Sequence, residues 1–171
     1  MNKKEIRQRV LQNGKSLDLD KFEWDEKANV FSTVENNLFL DFKNFSDCTF
    51  KTGSDCTFKT GSDCIFNTGS DCIFNTGSDC TFNTTWGCTF KTGSYCTFKT
   101  GWDCTFDTDV NCVVVRRDIY QVIELEKGKK IKLNGFGVLG FTFIEEKKEV
   151  FLSGKEITVT VDGVSYVAVI K

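Results

Sequence analysis

The sequence predicts an all-β fold: a two-sided parallel β-solenoid of about 16 residues per coil, with a short N-terminal helical/β cap and a small antiparallel β domain at the C-terminus. Three observations predict it. Nine cysteines fall eight residues apart, from Cys48 through Cys56, Cys64, Cys72, Cys80, Cys88, Cys96 and Cys104 to Cys112. Eight of them are followed two positions later by phenylalanine, Phe50 to Phe106, and four positions later by threonine, Thr52 to Thr108. Four of the eight octads then close on Gly-Ser-Asp, whose residues favour turns. The octapeptide Cys-Thr-Phe-Lys/Asn-Thr-Gly-Ser-Asp therefore reads as a short strand and a corner.

Alternate side chains of a strand share a face, so cysteine and phenylalanine point one way while the second-position threonine and the fourth-position lysine or asparagine point the other. In the corner, glycine is expected to supply a positive φ, and threonine, serine and aspartate to hydrogen-bond nearby backbone. Parity selects the connection. An antiparallel meander with two-residue turns would put Cys and Phe on opposite sheet faces in successive strands, whereas a coil that turns a corner into a second sheet keeps them all inside. Cys48, Cys64, Cys80, Cys96 and Cys112 then stack along one sheet, and Cys56, Cys72, Cys88 and Cys104 along the other. Full burial of a phenylalanine contributes roughly 1.5–3 kcal/mol, so the rings are the main source of cohesion.

Three segments follow in chain order: a cap at 1–39, the solenoid at 40–115 and a C-terminal β domain at 116–171. Open solenoid ends expose unpaired strand edges, so caps are expected. Asn2 to Gln12 reads as a short helix with Ile6, Val10 and Leu11 on one side, stopped by Asn13-Gly14. Leu17, Leu19, Phe22, Trp24, Val30 and Phe31 supply further apolar contacts. Leu40 to Asp47 reads as a degenerate octad, with Leu40 and Phe42 in the Cys and Phe places. Beyond Arg116-Arg117 strands are expected over Ile119 to Leu125, Lys130 to Leu133, Val138 to Ile144 and Glu149 to Leu152. Asp162-Gly163 is expected to turn a hairpin between Ile157 to Val161 and Val164 to Ile170.

The cysteines are expected to be free thiols packed as small apolar residues in a reducing compartment, with no disulfide and no metal site. Sheets separated by phenylalanine lie about 10 Å apart, beyond the roughly 7 Å between Cα atoms that a disulfide tolerates. The even spacing contains no close Cys pair of the kind that holds zinc. The chain has no histidine, which removes the commonest general base, and buried thiols are poor nucleophiles. No catalytic residue and no cofactor are therefore expected, and Glu145-Glu146 reads as a solvated turn. A formal net charge of −2 and a pI near 5.3 argue against nucleic acid and anionic membrane as partners. The start, MNKKEIRQRVLQNG, has no apolar core of a secretory signal, so a cytoplasmic location is expected.

Where the repeat is broken it carries information. Trp86 and Trp102 replace the corner serine 16 residues apart, and Tyr95 stands at the aspartate place of the octad between them. These three are the candidate binding residues, because aromatics dominate binding hot spots. The alternative reading packs the rings under a terminal segment that folds back along the rod. Three other readings of the solenoid are weaker. Corner aspartates lack the ninth residue and second glycine of a calcium-binding β-roll, Lys, Asn or Asp stands where a second threonine would mark an ice-binding face, and eight Asp against four Lys between Asp47 and Asp109 is too slight an excess for a DNA mimic.

Gly-Ser-Asp-Cys-Thr-Phe-Lys-Thr at Gly53 to Thr60, with Cys-Val-Val-Val-Arg-Arg-Asp at Cys112 to Asp118, resembles small octapeptide-repeat, pentapeptide-repeat-like solenoid proteins of tailed bacteriophages. The resemblance covers residues 20 to 145. It implies a viral protein acting in the host cytoplasm or in a virion assembled there, and it brings no catalytic residues. Two functions follow as expectations. One is a non-enzymatic binding protein that inhibits or sequesters a host factor, and the other is a structural component of a virion or tail. Partners are accordingly another protein or further copies of the chain, with the C-terminal β domain as the route to a homo-oligomer.

Overall fold

The computed structural model describes residues 1–145 in full, together with the backbone of Glu156–Val161 and Val164–Val169. The chain winds into a β-solenoid of about 16 residues per coil and about five turns. One sheet runs Lys15–Ser16, Val10–Gln12, Leu38–Phe42, Thr57–Thr60, Ile73–Asn75, Thr89–Lys91, Thr105–Asp107, Ile131–Leu133 and Phe141–Phe143. The other runs Glu23–Asp25, Val30–Ser32, Thr49–Lys51, Ile65–Asn67, Thr81–Asn83, Thr97–Thr100, Cys112–Arg116 and Gln121–Leu125. Successive octads alternate between the sheets, and strands one coil apart pair in parallel, Phe50 with Phe66, Phe66 with Phe82 and Phe58 with Phe74. Among the described residues no helix is long and apolar enough to cross a membrane.

The parity of the repeat puts every octad cysteine and phenylalanine inside, none more than 3 % exposed. Within a sheet the rings stack nearly parallel: Phe58, Phe74 and Phe90 lie 5.0 Å apart with interplanar angles of 4° and 5°. Across the core they meet edge to face, Phe66 on Phe74 at 5.2 Å and 72°. Both geometries favour the ring quadrupole. Threonine at the fifth position, expected as corner chemistry, is a third inward residue; Thr60, Thr84 and Thr100 are buried. Burial forces its hydroxyl to find a partner, which for Thr60, Thr76 and Thr92 is the carbonyl of the next glycine at 3.2–3.3 Å.

All nine cysteines are buried and free. Each thiol donates to a carbonyl, as Cys64 does to Ser62 O at 3.2 Å and Cys80 to Ser78 O at 3.3 Å. Cys88 is pushed up to about 12, first by hydrogen bonding with the Cys104 thiol and then, against an opposing pull from Cys72, by burial. Alkylation without reductant is accordingly expected to label few thiols in the folded protein and all nine after denaturation. Oxidised cysteines in the freshly isolated chain would overturn this packing.

The corners correct the expected role of glycine. Positive φ falls on the residue before each cysteine, Asp47, Asp55, Asp63, Asp71, Asp79, Tyr95, Asp103 and Asn111 at 55° to 59°, and only Gly87 among octad glycines shares it. Aspartate and asparagine tolerate this region better than other side chains. Glycine is needed for close approach instead: a Cβ on Gly69 would lie 2.2 Å from Ser54 Oγ and 3.0 Å from Ser54 N. The vacated space lets the amides of Ser62, Ser78 and Ser94 donate to the hydroxyls of Ser46, Ser62 and Ser78 one coil back at 3.0–3.1 Å. Tyr95 is the strained member of its column, with φ 59° and an exposed ring. Tyr95→Asn is expected to raise the unfolding free energy by roughly 1 kcal/mol, read from the denaturant midpoint. A fall would show that the tyrosine ring makes a stabilising contact.

The N-terminal end departs from expectation twice. The helix is only Lys3–Arg7, capped by Asn2 with a reciprocal bond from Asn2 N to Glu5 Oε2. Val10–Gln12 is a strand, and Asn13 and Gly14, both at positive φ, turn it into Lys15–Ser16 as a hairpin. Val10 and Leu11 are drawn into a strand because they close the edge left by Leu38–Phe42. The degenerate octad also shifts: Leu40 pairs with Phe58 and Phe42 with Thr60, so Leu40 holds the phenylalanine place and Leu38 the cysteine place. Lys43 and Asn44 are inserted after Phe42, and Gly61 N then bonds to Phe45 O, restoring the register. One coil earlier Phe31 pairs with Phe50, so the parallel stack already includes Val30–Ser32.

At the other end the expected strands appear as Gln121–Leu125, Ile131–Leu133 and Phe141–Phe143, which add antiparallel to the two solenoid sheets. Ile123, Leu125, Ile131 and Leu133 cover the last coil. Glu156–Val161 and Val164–Val169 pair as the expected hairpin in a sheet of two. The expected strand over 149–152 and the turn at 162–163 lie outside the described residues.

Candidate functional site

Each coil has two corners, one leaving each sheet. Trp86 and Trp102 follow Thr81–Asn83 and Thr97–Thr100 of the second sheet, and they stack one coil apart with centroids 6.0 Å apart and planes 12° from parallel. Tyr95 follows Thr89–Lys91 of the first sheet and bonds through its amide to Val110 O on the opposite edge. The structure thus brings together two of the three candidates and separates the third. Tyr95 is half a coil from either tryptophan, so a 16-residue coil cannot place it beside them.

The tryptophan edge is locally rebuilt to accept the rings. Thr85 takes the glycine place and Gly87 the left-handed place; Thr85 N stands back from Gly69 O at 3.4 Å, against 3.1 Å for Gly69 N on Gly53 O, while Gly101 N of the next coil closes tightly on Thr85 O. Neither tryptophan offers a hydroxyl to the following amide, which ends the serine ladder on that edge at Ser70. Trp86 remains 41 % exposed, at the end of the ring stack.

Three more residues complete the patch. Phe136 packs edge-on against Trp102 at 4.8 Å and 78° while remaining 69 % exposed, and Val138 and Leu139 of the same loop are also exposed. The segment 134–140 was expected to enter a strand at Val138. Its glycines instead make a loop, with Gly137 and Gly140 at φ 70° and 84°. Among the described residues a C-terminal segment thus packs on Trp102, as the alternative reading of the tryptophans expects, and leaves Trp86 exposed.

A buried ion pair holds this loop. Arg116, with no exposed surface, donates to Asp118 Oδ2 at 2.5 Å and Oδ1 at 3.1 Å, and to the carbonyls of Val138 at 2.7 Å and Gly135 at 3.2 Å. Asp118 in turn accepts from Gly137 N at 3.1 Å, and Gln121 Oε1 accepts from Gly140 N at 3.0 Å. Burial acts to raise the Asp118 carboxyl, but the hydrogen bonds from Arg116 and Gly137 and the guanidinium charge outweigh it and hold the group below the usual carboxylate range. Arg117 points the other way, to Asn83 Oδ1 at 3.0 Å and to Thr84 O, tying the cap to the coil that carries Trp86. The patch is therefore preorganised, and a preorganised apolar surface loses little entropy when it binds.

The run Gly135-Phe136-Gly137-Val138-Leu139-Gly140 carried the missed signal, because glycines at every second or third place mark a loop more than a strand. Among the described residues no three acidic, cysteine or histidine side chains converge on one point. Comparison with family models, with curated proteins and with solved structures finds no match to this chain.

Proposed function

We propose that this protein is a non-enzymatic binding rod that engages another protein through the edge formed by Trp86, Trp102 and Phe136, with Val138 and Leu139 at its rim. The observation that carries this reading is the exposure of large apolar side chains on a loop whose backbone is fixed by the buried Arg116–Asp118 pair. An apolar patch costs solubility unless it is used, and aromatic anchors on a rigid support have the character of a hot spot. The resemblance of the octad to phage repeat proteins supports a host factor as the partner and the host cytoplasm as the place. The antiparallel caps on both ends weigh against the structural alternative in its simplest form, rods stacked end to end, because each sheet is closed by non-repeating strands.

The test compares tagged wild type with Trp86→Ala/Phe136→Ala and with Tyr95→Ala in bacterial lysate, followed by isolation of the complex and measurement of its mass. A complex of fixed stoichiometry that survives Tyr95→Ala and is lost in the double variant is expected. A partner retained equally by all three chains would remove the aromatic edge from the function.

A further inference from the structure

The sequence contains no close pair of cysteines, but the coil makes such pairs in space. The parallel register aligns Cys48, Cys64, Cys80, Cys96 and Cys112 in one column and Cys56, Cys72, Cys88 and Cys104 in a second. Successive members pack on one another: the backbone N of Cys56 lies 3.5 Å from Cys72 Sγ, and that of Cys96 3.4 Å from Cys112 Sγ. Every thiol in both columns is free and buried.

We propose that the two thiol columns bind a soft, closed-shell monovalent cation, Cu(I) or its redox-inert analogue Ag(I), with one ion in line between two sulfurs one coil apart and no sulfur shared between ions. Three arguments carry this. The first is distance. Parallel strands repeat at about 4.8 Å, and two bonds of about 2.3 Å, the length of a zinc–thiolate bond, placed in line span nearly the same gap. The second is coordination number. Among the described residues no three ligating side chains converge, so a tetrahedral zinc site is not formed, whereas facing pairs of soft sulfurs suit a cation that accepts two ligands.

The third is charge. Each entering cation displaces one S–H proton to solvent, with no change of oxidation state, and sits between one thiolate and one thiol that it shares with no other ion, because a sulfur cannot bridge two ions in a straight line. The five-thiol column holds two such pairs and the four-thiol column two, so the chain takes four ions and loses four protons. Both columns therefore stay neutral, which the phenylalanine core requires of anything buried in it. The inference is independent of the aromatic edge.

The experiment uses the full, reduced chain under anaerobic conditions, with Ag(I) or chelator-buffered Cu(I) added either to the folded protein or during refolding. Native mass spectrometry counts ions and lost protons, while circular dichroism and a thermal melt follow the fold. Four ions and four displaced protons per chain are expected, with the β signal retained and the melting temperature raised. Cys80→Ala, which leaves Cys48 beside Cys64 and Cys96 beside Cys112, is expected to keep all four ions, and Cys104→Ala, which leaves three thiols in its column, to lose one. Cys80→Ser replaces Cys80→Ala if the alanine chain does not fold. Loss of one ion in both variants would mean independent thiols and would overturn the proposal. So would binding that requires or causes unfolding, or a folded chain that takes up no ion by either route.

Discussion

Phe74→Ala is expected to destabilise the solenoid by about 3–5 kcal/mol, the range for emptying a phenylalanine site in a close-packed core. The ring is fully buried, stacked on Phe58 and Phe90 at 5.0 Å and met edge-on by Phe66 and Phe82 at 5.2 and 5.1 Å. Its removal takes a partner from four rings at once. Little relaxation can fill the gap, because each neighbour is fixed by its own strand pairing one coil away. Asn75, the next residue, faces outward, and Asn75→Ala is expected to change stability by less than about 0.5 kcal/mol. Denaturant unfolding of the two variants checks the contrast. Equal losses would mean that the rod is held by its backbone ladders and not by its rings.

Arg116→Ala is expected to cost about 3–5 kcal/mol locally, because it leaves Asp118, whose side chain is 3 % exposed, as an uncompensated buried charge. The carbonyls of Gly135 and Val138 lose their donor in the same step. Solenoids are stabilised by neighbour contacts, so the damage should stay in the C-terminal cap. Hydrogen exchange should rise over 134–140 and tryptophan emission should shift to the red as Phe136 leaves Trp102, while the coils from Thr49 to Lys91 keep their protection. Unchanged exchange in 134–140 would mean that the strands on either side suffice to hold the loop.

The same pair sets a pH dependence. The Asp118 carboxyl titrates lower in the folded protein than its ordinary value, so its contribution is fully present above the unfolded pKa of about 3.9 and is lost as pH falls through the folded value. Wild type should therefore release the loop only in acid, below about pH 4. In Asp118→Asn that acid transition in tryptophan emission should be absent.

Much of this was legible in the sequence because the repeat is even and its coil is twice the repeat. An even period fixes which side chains face inward, and two octads per coil fix which residues become neighbours, so Phe50, Phe66 and Phe82 had to stack. The same arithmetic puts Tyr95 on the edge opposite Trp86 and Trp102. The strand Val30–Ser32 was hidden and the octad at Leu38–Phe42 was legible only in a shifted register, because Val34, Lys43 and Asn44 lie outside the octad and the cysteines are gone. Their register is kept by backbone bonds such as Gly53 N to Glu35 O and Gly61 N to Phe45 O, which no side-chain pattern records.

By itself, then, the sequence determined the solenoid, its inward Cys-x-Phe faces and its two cysteine columns, since these follow from local periodicity alone. Only the tertiary structure decided which corner residue carries the positive φ, that glycine serves close approach, and that Arg116 is buried with Asp118 to set Phe136 against Trp102. The reason is the same in each case. These features arise where one coil or cap meets another, and the distances that decide them depend on how the non-repeating chain is laid across the repeating one.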